Sequence, residues 1–190
     1  MIAIVDYKLG NVKSVSCACK RIGLRAEITH NAEIISKADG IVLPGVGSFF
    51  AAMHNLAGLG LISLLHRRKN DGIPILGICL GMQILYERGY EGGEALGLGW
   101  LKGSVGLIPT SAKLPHMGWN TISCGDVYFN HSYMADCNVK AIEYAEYGGV
   151  QIPATVGNGN VTGYQFHPEK SGKVGEDILR RWAACLSFPQ

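Results

Sequence analysis

Ile73-Pro74-Ile75-Leu76-Gly77-Ile78-Cys79-Leu80-Gly81-Met82-Gln83 is the stretch that decides how the chain folds. Ile73 to Ile78 is a short apolar run without polar alternation. That is the pattern of a strand buried on both faces, as in a parallel sheet. Met82 to Glu87 then reads as helix. Between strand and helix stands Gly77-Ile78-Cys79-Leu80-Gly81, a nucleophile flanked by glycines. This is the nucleophile-elbow pattern, best known with serine. The turn is too tight for large side chains on either side, hence the glycines. It holds Cys79 at the C-terminal end of the sheet, beside the N-terminus of the next helix, whose positive end favours an anion.

The same alternation extends outward. Ile2 to Val5 is an apolar strand, and Val12, Val15, Cys19 and Ile22 recur at helical spacing before Gly23, a C-cap candidate. Arg25 to Thr29 reads as a second strand and Ile41-Val42-Leu43 as a third, ended by Pro44. Phe49 to Leu65 reads as helix, broken near Gly58–Gly60. Strand and helix at this spacing predict βαβ units and a mostly parallel central sheet covered on both faces, an α/β fold of three layers. The second half differs. Trp119–Ser123, Val127–Asn130, Ala141–Tyr147, Gly149–Ile152 and Val161–Phe166 are short strand-like runs, with Asn158-Gly159 as a turn signal. They predict an antiparallel extension, and Gly175 to Leu186 a closing helix. No linker or internal repeat divides the chain, so residues 1–190 are expected to form a single domain.

Composition narrows the function classes. The 190 residues carry a formal net charge of +2, and 47% are hydrophobic, a globular composition. The one basic cluster, Arg67-Arg68-Lys69, has no interleaved aromatics and reads as a solvated helix end, which argues against nucleic-acid binding. No Asp, Glu, Lys or Arg occurs from Gly40 to His66, yet Pro44, Gly45, Gly58 and Gly60 interrupt that stretch. A strand, a Gly-rich loop and core helices explain it better than a membrane span. The six cysteines are Cys17, Cys19, Cys79, Cys124, Cys137 and Cys185. Met1 leads directly into a strand, so free thiols and a cytoplasmic location are expected. No C-x-x-C pair occurs, and no zinc site is expected.

A cysteine nucleophile needs a base. His167 stands in Gln165-Phe166-His167-Pro168-Glu169, just after an apolar strand. In an extended segment residues i and i+2 point to one side, so Glu169 is placed to orient the imidazole. Cys79, His167 and Glu169 then form a nucleophile, base and orienter. The elbow and a His-Pro-Glu segment coincide by chance only about 0.001 times in a chain of this composition. Acyl chemistry also needs N–H groups aimed at a developing oxyanion. Leu80, after the nucleophile, offers one, and the turn Pro44-Gly45-Val46-Gly47 after the third strand is placed to offer another.

Together these pieces resemble class I glutamine amidotransferases, whose glutaminase domain releases ammonia from glutamine. Further segments narrow the resemblance: Asp6-Tyr7-Lys8-Leu9-Gly10-Asn11, Leu80-Gly81-Met82-Gln83, Pro115-His116-Met117-Gly118-Trp119-Asn120, Tyr128-Phe129-Asn130-His131-Ser132-Tyr133 and Gly163-Tyr164-Gln165-Phe166-His167-Pro168-Glu169-Lys170-Ser171-Gly172. These are similar to the glutaminase subunits of imidazole glycerol phosphate synthase, over nearly the full length. Lys8-Leu9 and Phe49-Phe50 depart from it, standing where shorter or smaller residues are common.

The resemblance implies a class I amidotransferase-like fold. It implies Cys79 as nucleophile, His167 as base and acid and Glu169 as orienter, with Val46, Gly47 and Leu80 at the oxyanion. Gln83, His131, Ser132 and Tyr133 would lie against bound glutamine. Asn11, Trp119, Asn120 and Lys170 would lie near the face that docks on a cyclase subunit, giving a heterodimer that passes ammonia to histidine biosynthesis. No metal or organic cofactor is implied. One rival is the glutaminase subunit of another complex, such as anthranilate synthase. That relative carries Pro-Gly-Pro-Gly and Gly-His-Gln where this chain has Pro44-Gly45-Val46-Gly47 and Gly81-Met82-Gln83. A second rival is an amidotransferase-like binding module without activity; it would lack a triad residue, and none is missing. A third is a flavodoxin-like binding protein, whose phosphate site would need a Ser/Thr-rich loop after the first strand, and Asp6-Tyr7-Lys8-Leu9-Gly10-Asn11 is not one.

Overall fold

A computed structural model describes residues 1–136 and 141–186. The first half runs β1 (Ile2–Val5), α1 (Val12–Arg21), β2 (Ala26–Thr29), α2 (Ala32–Ser36), β3 (Gly40–Leu43), α3 (Phe49–Gly58), α4 (Ile62–Asn70), β4 (Ile75–Ile78) and α5 (Leu80–Gln83). The second half runs β5 (Tyr86–Gly89), β6 (Ala95–Leu96), β7 (Leu101–Leu107), β8 (His116–Ile122), β9 (Gly125–His131), β10 (Tyr133–Ala135), β11 (Glu143–Tyr147), β12 (Val150–Asn158), β13 (Val161–Tyr164) and α6 (Gly172–Ala183).

The central sheet has seven strands in the order β11-β12-β13-β4-β3-β1-β2. The strands from β13 to β2 pair in parallel. β12 and β11 extend the sheet antiparallel. Successive side chains of a strand face opposite ways, so each apolar run feeds two cores. Ala3, Val5, Ile41, Leu43 and Ile75 pack with Phe49, Leu56 and Leu64 of α3 and α4. Ile2, Ile4, Val42, Leu76 and Ile78 pack with Val15 of α1 and Ile178 and Trp182 of α6. This is the expected three-layer α/β arrangement. A four-stranded sheet, β10-β7-β5-β6, and the two-stranded β8–β9 hairpin flank it.

Local chemistry sets the helix limits. The Asn11 side chain accepts from Ser14 N–H and the Ser48 side chain from Ala51 N–H, capping α1 and α3. Lys20 and Arg21 end α1 with charges that suit its C-terminus. The charge-free Gly40–His66 stretch becomes β3, a loop and two helices, α3 and α4, bent by 92°. Among the described residues no single helix is long and apolar enough to cross a membrane.

One expectation fails. The helix expected from Met82 to Glu87 stops at Gln83, and Tyr86–Gly89 is β5. Its carbonyls are taken from outside: Leu98 N–H bonds the Ile84 oxygen, Trp100 and Leu101 N–H the Leu85 oxygen, and Gly99 N–H the Tyr86 oxygen. β5 then pairs in parallel with β7. Partners 13 to 16 residues on displace the local i+4 donors. Cys17, Cys19, Cys79, Cys124 and Cys185 are free thiols; Cys137 lies outside the described residues.

Candidate active site

Cys79 sits at the end of β4 with φ 53° and ψ −110°. A side chain there is strained by about 1–3 kcal/mol, a strain that clusters at functional positions. Its neighbours leave no alternative. A Cβ on Gly81 would fall 1.7 Å from the Leu43 carbonyl oxygen, and one on Gly77 2.5 Å from the Gly81 oxygen. The glycines are therefore required by contact between α5, β3 and β4. Cys79 N–H donates to the Tyr164 oxygen at 2.7 Å, fixing the turn to β13. The sulfur lies 3.7 Å from Gln165 Nε2, which donates to it, and 3.8 Å from the Asn130 carbonyl.

His167 closes the other side. Its Nδ1 lies 2.8 Å from Glu169 Oε1, with both side chains 2% exposed or less. The local form differs from the extended segment expected. His167 is extended, at φ −103° and ψ 94°, but Pro168–Lys170 is a single 3-10 turn. The turn still brings the carboxylate back to the ring. His167 N–H donates to the Tyr128 oxygen at 2.8 Å, and Ser171 Oγ donates to the His167 oxygen at 2.6 Å. Burial alone would lower the His167 pKa, but Cys79 and Glu169 outweigh it and raise it to about 10. His167 Nε2 has no hydrogen-bond partner of ordinary geometry. Catalytic hydrogen bonds commonly tighten only when substrate binds.

A cavity of ≈ 210 Å³ opens over the sulfur. Val46, Gly47, Leu80, Gln83, His131, Ser132 and Tyr133 all line it. Every oxyanion and substrate residue named from the sequence therefore faces one space. Gln83 Nε2 is spent within the protein, donating to the Tyr133 oxygen at 2.8 Å and to Gln165 Oε1 at 3.2 Å. The sequence did not single out Glu91, Asn130 or Gln165. Glu91 lines the same cavity, half buried, and burial raises its pKa. The i, i+2 rule applied backward from His167 would have found Gln165; no local signal marks Glu91. Among the described residues no group of three His, Cys, Asp or Glu side chains is arranged to hold a metal.

The remaining named residues lie outside the cavity. Trp119 is 59% exposed, so it is no core aromatic. Its ring stands edge-on to Tyr128 at 6.1 Å, and Lys170 Nζ lies 5.6 Å above the Tyr128 ring. Asn11 is exposed at the start of α1. Asn120 differs: its Nδ2 turns inward, to His116 Nε2 at 3.2 Å and the Glu146 oxygen at 2.7 Å.

Comparison with known proteins agrees with this geometry. The chain is 50% identical to imidazole glycerol phosphate synthase subunit HisH of Lactococcus lactis subsp. lactis (strain IL1403), covering 94% of this chain and 96% of that one. It is 43% identical to the subunit of the same name from Bacillus cereus (strain B4264), over 98% and 95% of the two chains. Among solved structures, one titled crystal structure of glutamine amidotransferase matches with TM-score 0.77 at 18% identity over 97% of each chain. The structure of PurLQS from Thermotoga maritima matches with TM-score 0.73 at 19% identity, over 96% of this chain and 97% of that one. These two bear on the fold alone. The family model for glutamine amidotransferase class-I matches residues 3–184, a span that holds the elbow, the cavity and the His167–Glu169 pair, and to that family the chain belongs.

Proposed function

We propose that this chain is the glutaminase subunit of imidazole glycerol phosphate synthase, working through Cys79, His167 and Glu169. The observation that carries the reading is a strained cysteine lining a cavity, backed by a buried His–Glu pair whose ring it influences. The 50% identity to a subunit of that synthase supports the choice of complex.

The chemistry follows from the atoms present. The Cys79 sulfur attacks the side-chain carbonyl carbon of glutamine. N–H groups of Leu80 and of the Gly45–Val46–Gly47 turn hold the oxyanion. His167, charged at rest, gives its proton to the amide nitrogen, and ammonia leaves with a thioester behind it. The neutral ring then takes a proton from water, and the hydroxide so formed attacks the thioester. Glutamate departs, the thiolate returns and His167 is charged again. Glu169 holds the ring throughout. Ser132 and Tyr133 wall the substrate, and Glu91 is a carboxylate placed to meet the α-ammonium group of an amino-acid substrate. No step needs a metal or organic cofactor.

Ammonia must reach its acceptor before water protonates it, so turnover is expected to depend on a cyclase partner. Trp119 and Lys170 both lie against Tyr128 and offer that partner an aromatic and a cation, and the resemblance adds Asn11 to that face. Docking would then bias the turn at Val46 and Gly47 toward its catalytic form. The test is glutamine hydrolysis by the chain alone and with cyclase plus its nucleotide ligand. Turnover should rise steeply in the complex and vanish in Cys79→Ser. Trp119→Ala should weaken the complex by about 2 kcal/mol, the scale of an interface anchor, and leave the thermal midpoint of the isolated chain unchanged. Equal turnover with and without cyclase would reject the dependence on docking; turnover surviving in Cys79→Ser would reject the nucleophile.

A further inference from the structure

Two buried histidines take no part in that chemistry. His116 and His131 are 3% and 6% exposed and stand directly opposite each other on β8 and β9. Burial lowers the pKa of both, to about 4 and about 3. A neutral imidazole has one donor nitrogen and one acceptor nitrogen, and its partners decide which is which. The Tyr133 carbonyl can only accept, and it lies 2.9 Å from His131 Nδ1, so Nδ1 carries the proton. His131 Nε2 is then a lone pair, and His116 Nδ1 donates to it at 3.1 Å. That leaves His116 Nε2 to accept from Asn120 Nδ2 at 3.2 Å. The Asn120 amide is itself fixed: its nitrogen also donates to the Glu146 oxygen, and its Oδ1 accepts from Thr121 N–H at 2.8 Å. Every donor from Asn120 inward points toward the cavity.

The inner end of this series meets the site. The Tyr133 carbonyl also accepts from Gln83 Nε2, whose second hydrogen goes to Gln165 Oε1. Gln165 in turn presents its nitrogen to the Cys79 sulfur. The outer end lies on β8, beside the exposed Trp119. The His116 ring is stacked between Phe129 and Tyr147, at centroid distances of 4.5 Å and 4.0 Å.

We propose that His116 and His131 are positioning residues of the glutaminase site, a pair of fixed tautomers that ties the Trp119 strand to the Tyr133 carbonyl and, through Gln83 and Gln165, to the nucleophile. The proposal rests on the glutaminase reading above. A merely structural role would need only the stacked ring, which phenylalanine supplies. His116→Phe therefore keeps the stack and removes both hydrogen bonds. His116→Asn puts an N–H where Nδ1 stood and restores the inner bond alone.

Two measurements decide it. Side-chain nitrogen–proton correlation spectra of histidine-labelled chain at neutral pH should show both rings neutral with the proton on Nδ1. An Nε2–H tautomer or a charged ring at either position overturns the proposal. Glutamine turnover by the cyclase complex should fall about tenfold in kcat/KM for His116→Phe, the scale of losing the inner bond to His131, which faces the site, and His116→Asn should recover most of it. Phenylalanine as active as histidine, or asparagine no better than phenylalanine at equal folded fraction, also overturns it. Wrong tautomers in an enzyme with normal turnover defeat the pair and leave the glutaminase reading standing. A wild-type complex without turnover defeats the reading and, with it, the site the pair serves.

Discussion

Two walls meet at the Cys79 sulfur, and different forces hold them. The wall on the parallel-sheet side is held by contact. A Cβ on Gly45 would fall 2.5 Å from the Tyr7 hydroxyl, one on Gly77 2.5 Å from the Gly81 oxygen, and one on Gly81 1.7 Å from the Leu43 oxygen. The opposite wall is held by hydrogen bonds, through Asn120, His116, His131, Tyr133 and Gln83. Contact is steep: a tenth of a nanometre too little is fatal. Hydrogen bonds are graded: losing one costs about 1 kcal/mol. The nucleophile and the residues behind it sit in the steep wall, and the substrate side sits in the graded one. A partner docked beside Trp119 would thus adjust the graded side directly and, on the steep side, only Val46 and Gly47, which lie beyond the tightly packed Gly45.

The largest expected effect breaks the steep wall. Gly81→Ala must push α5 off β3, and overpacking of this severity exceeds the usual 1–3 kcal/mol. Little folded, soluble chain is expected, measured by yield and near-ultraviolet dichroism. A native-like, active Gly81→Ala would show that the elbow gives way as easily as the other side.

Next in size is the strain at Cys79 itself. Removing the side chain at φ 53° relieves a conformation that costs L residues about 1–3 kcal/mol. Cys79→Gly should therefore be more stable than Cys79→Ala by about 1 kcal/mol, and both should lack turnover. The urea midpoints of the two variants measure the difference. Equal midpoints would mean that the turn carries no strain and is merely well packed.

How legible these walls were follows from the range of the forces. The apolar runs that became β1, β3 and β4 are local, and so is the Gly77–Gly81 spacing, so the sheet and the elbow were readable. So was the hairpin signal at Asn158-Gly159, where β12 pairs with β13. α2 escaped, although Asn31 accepting from Glu33 N–H is a recognisable start signal. The helix expected from Met82 to Glu87 runs into β5 because its β7 partner lies outside the local window of helical spacing. The resemblance names Gln83, His131 and Tyr133 of the other wall, but no local pattern shows the hydrogen bonds that join them. His116 meets His131 only because Ser123-Cys124 closes β8 and β9 in one register, pairing Ile122 with Gly125. A shift of one residue would turn each ring to the other face. Glu169 was found from the right spacing although the backbone there is a 3-10 turn, since either form returns its carboxylate to His167.

Another effect is graded with pH. Cys79 and Glu169 raise the pKa of His167 from its ordinary 6.5 to about 10 against the opposing effect of burial. A raised pKa stabilises the fold fully below the unfolded value and loses that contribution as pH rises through the folded value. The stability of the wild-type chain should therefore decline between pH 7 and 10 more steeply than that of His167→Gln. Urea midpoints across that range check the sign. Parallel profiles would mean that Cys79 and Glu169 do not hold a charged ring between them.

The smallest effect tests a side-chain hydrogen bond in the steep wall. Tyr7 is fully buried, and its hydroxyl donates to the Pro44 carbonyl at the start of the Gly45–Val46–Gly47 turn. Asn55 Nδ2 donates to the Tyr7 main-chain oxygen at 2.9 Å, tying β1's end to α3. Burial, with Cys79 nearby, pushes the phenol well above its ordinary pKa, so the hydroxyl stays a donor. Tyr7→Phe keeps the ring and removes that donor, at a cost of about 1 kcal/mol. Contact still confines the turn, because a Cβ on Gly10 would lie 2.9 Å from the Gly45 Cα, and Leu80 packs from the other side. If contact governs this wall, kcat/KM of the cyclase complex should change less than about threefold, well under the effect of a full hydrogen bond's loss. A tenfold loss, equal to that expected of His116→Phe, would show that the oxyanion turn is placed by its hydrogen bond. The two walls would then differ in geometry but not in kind.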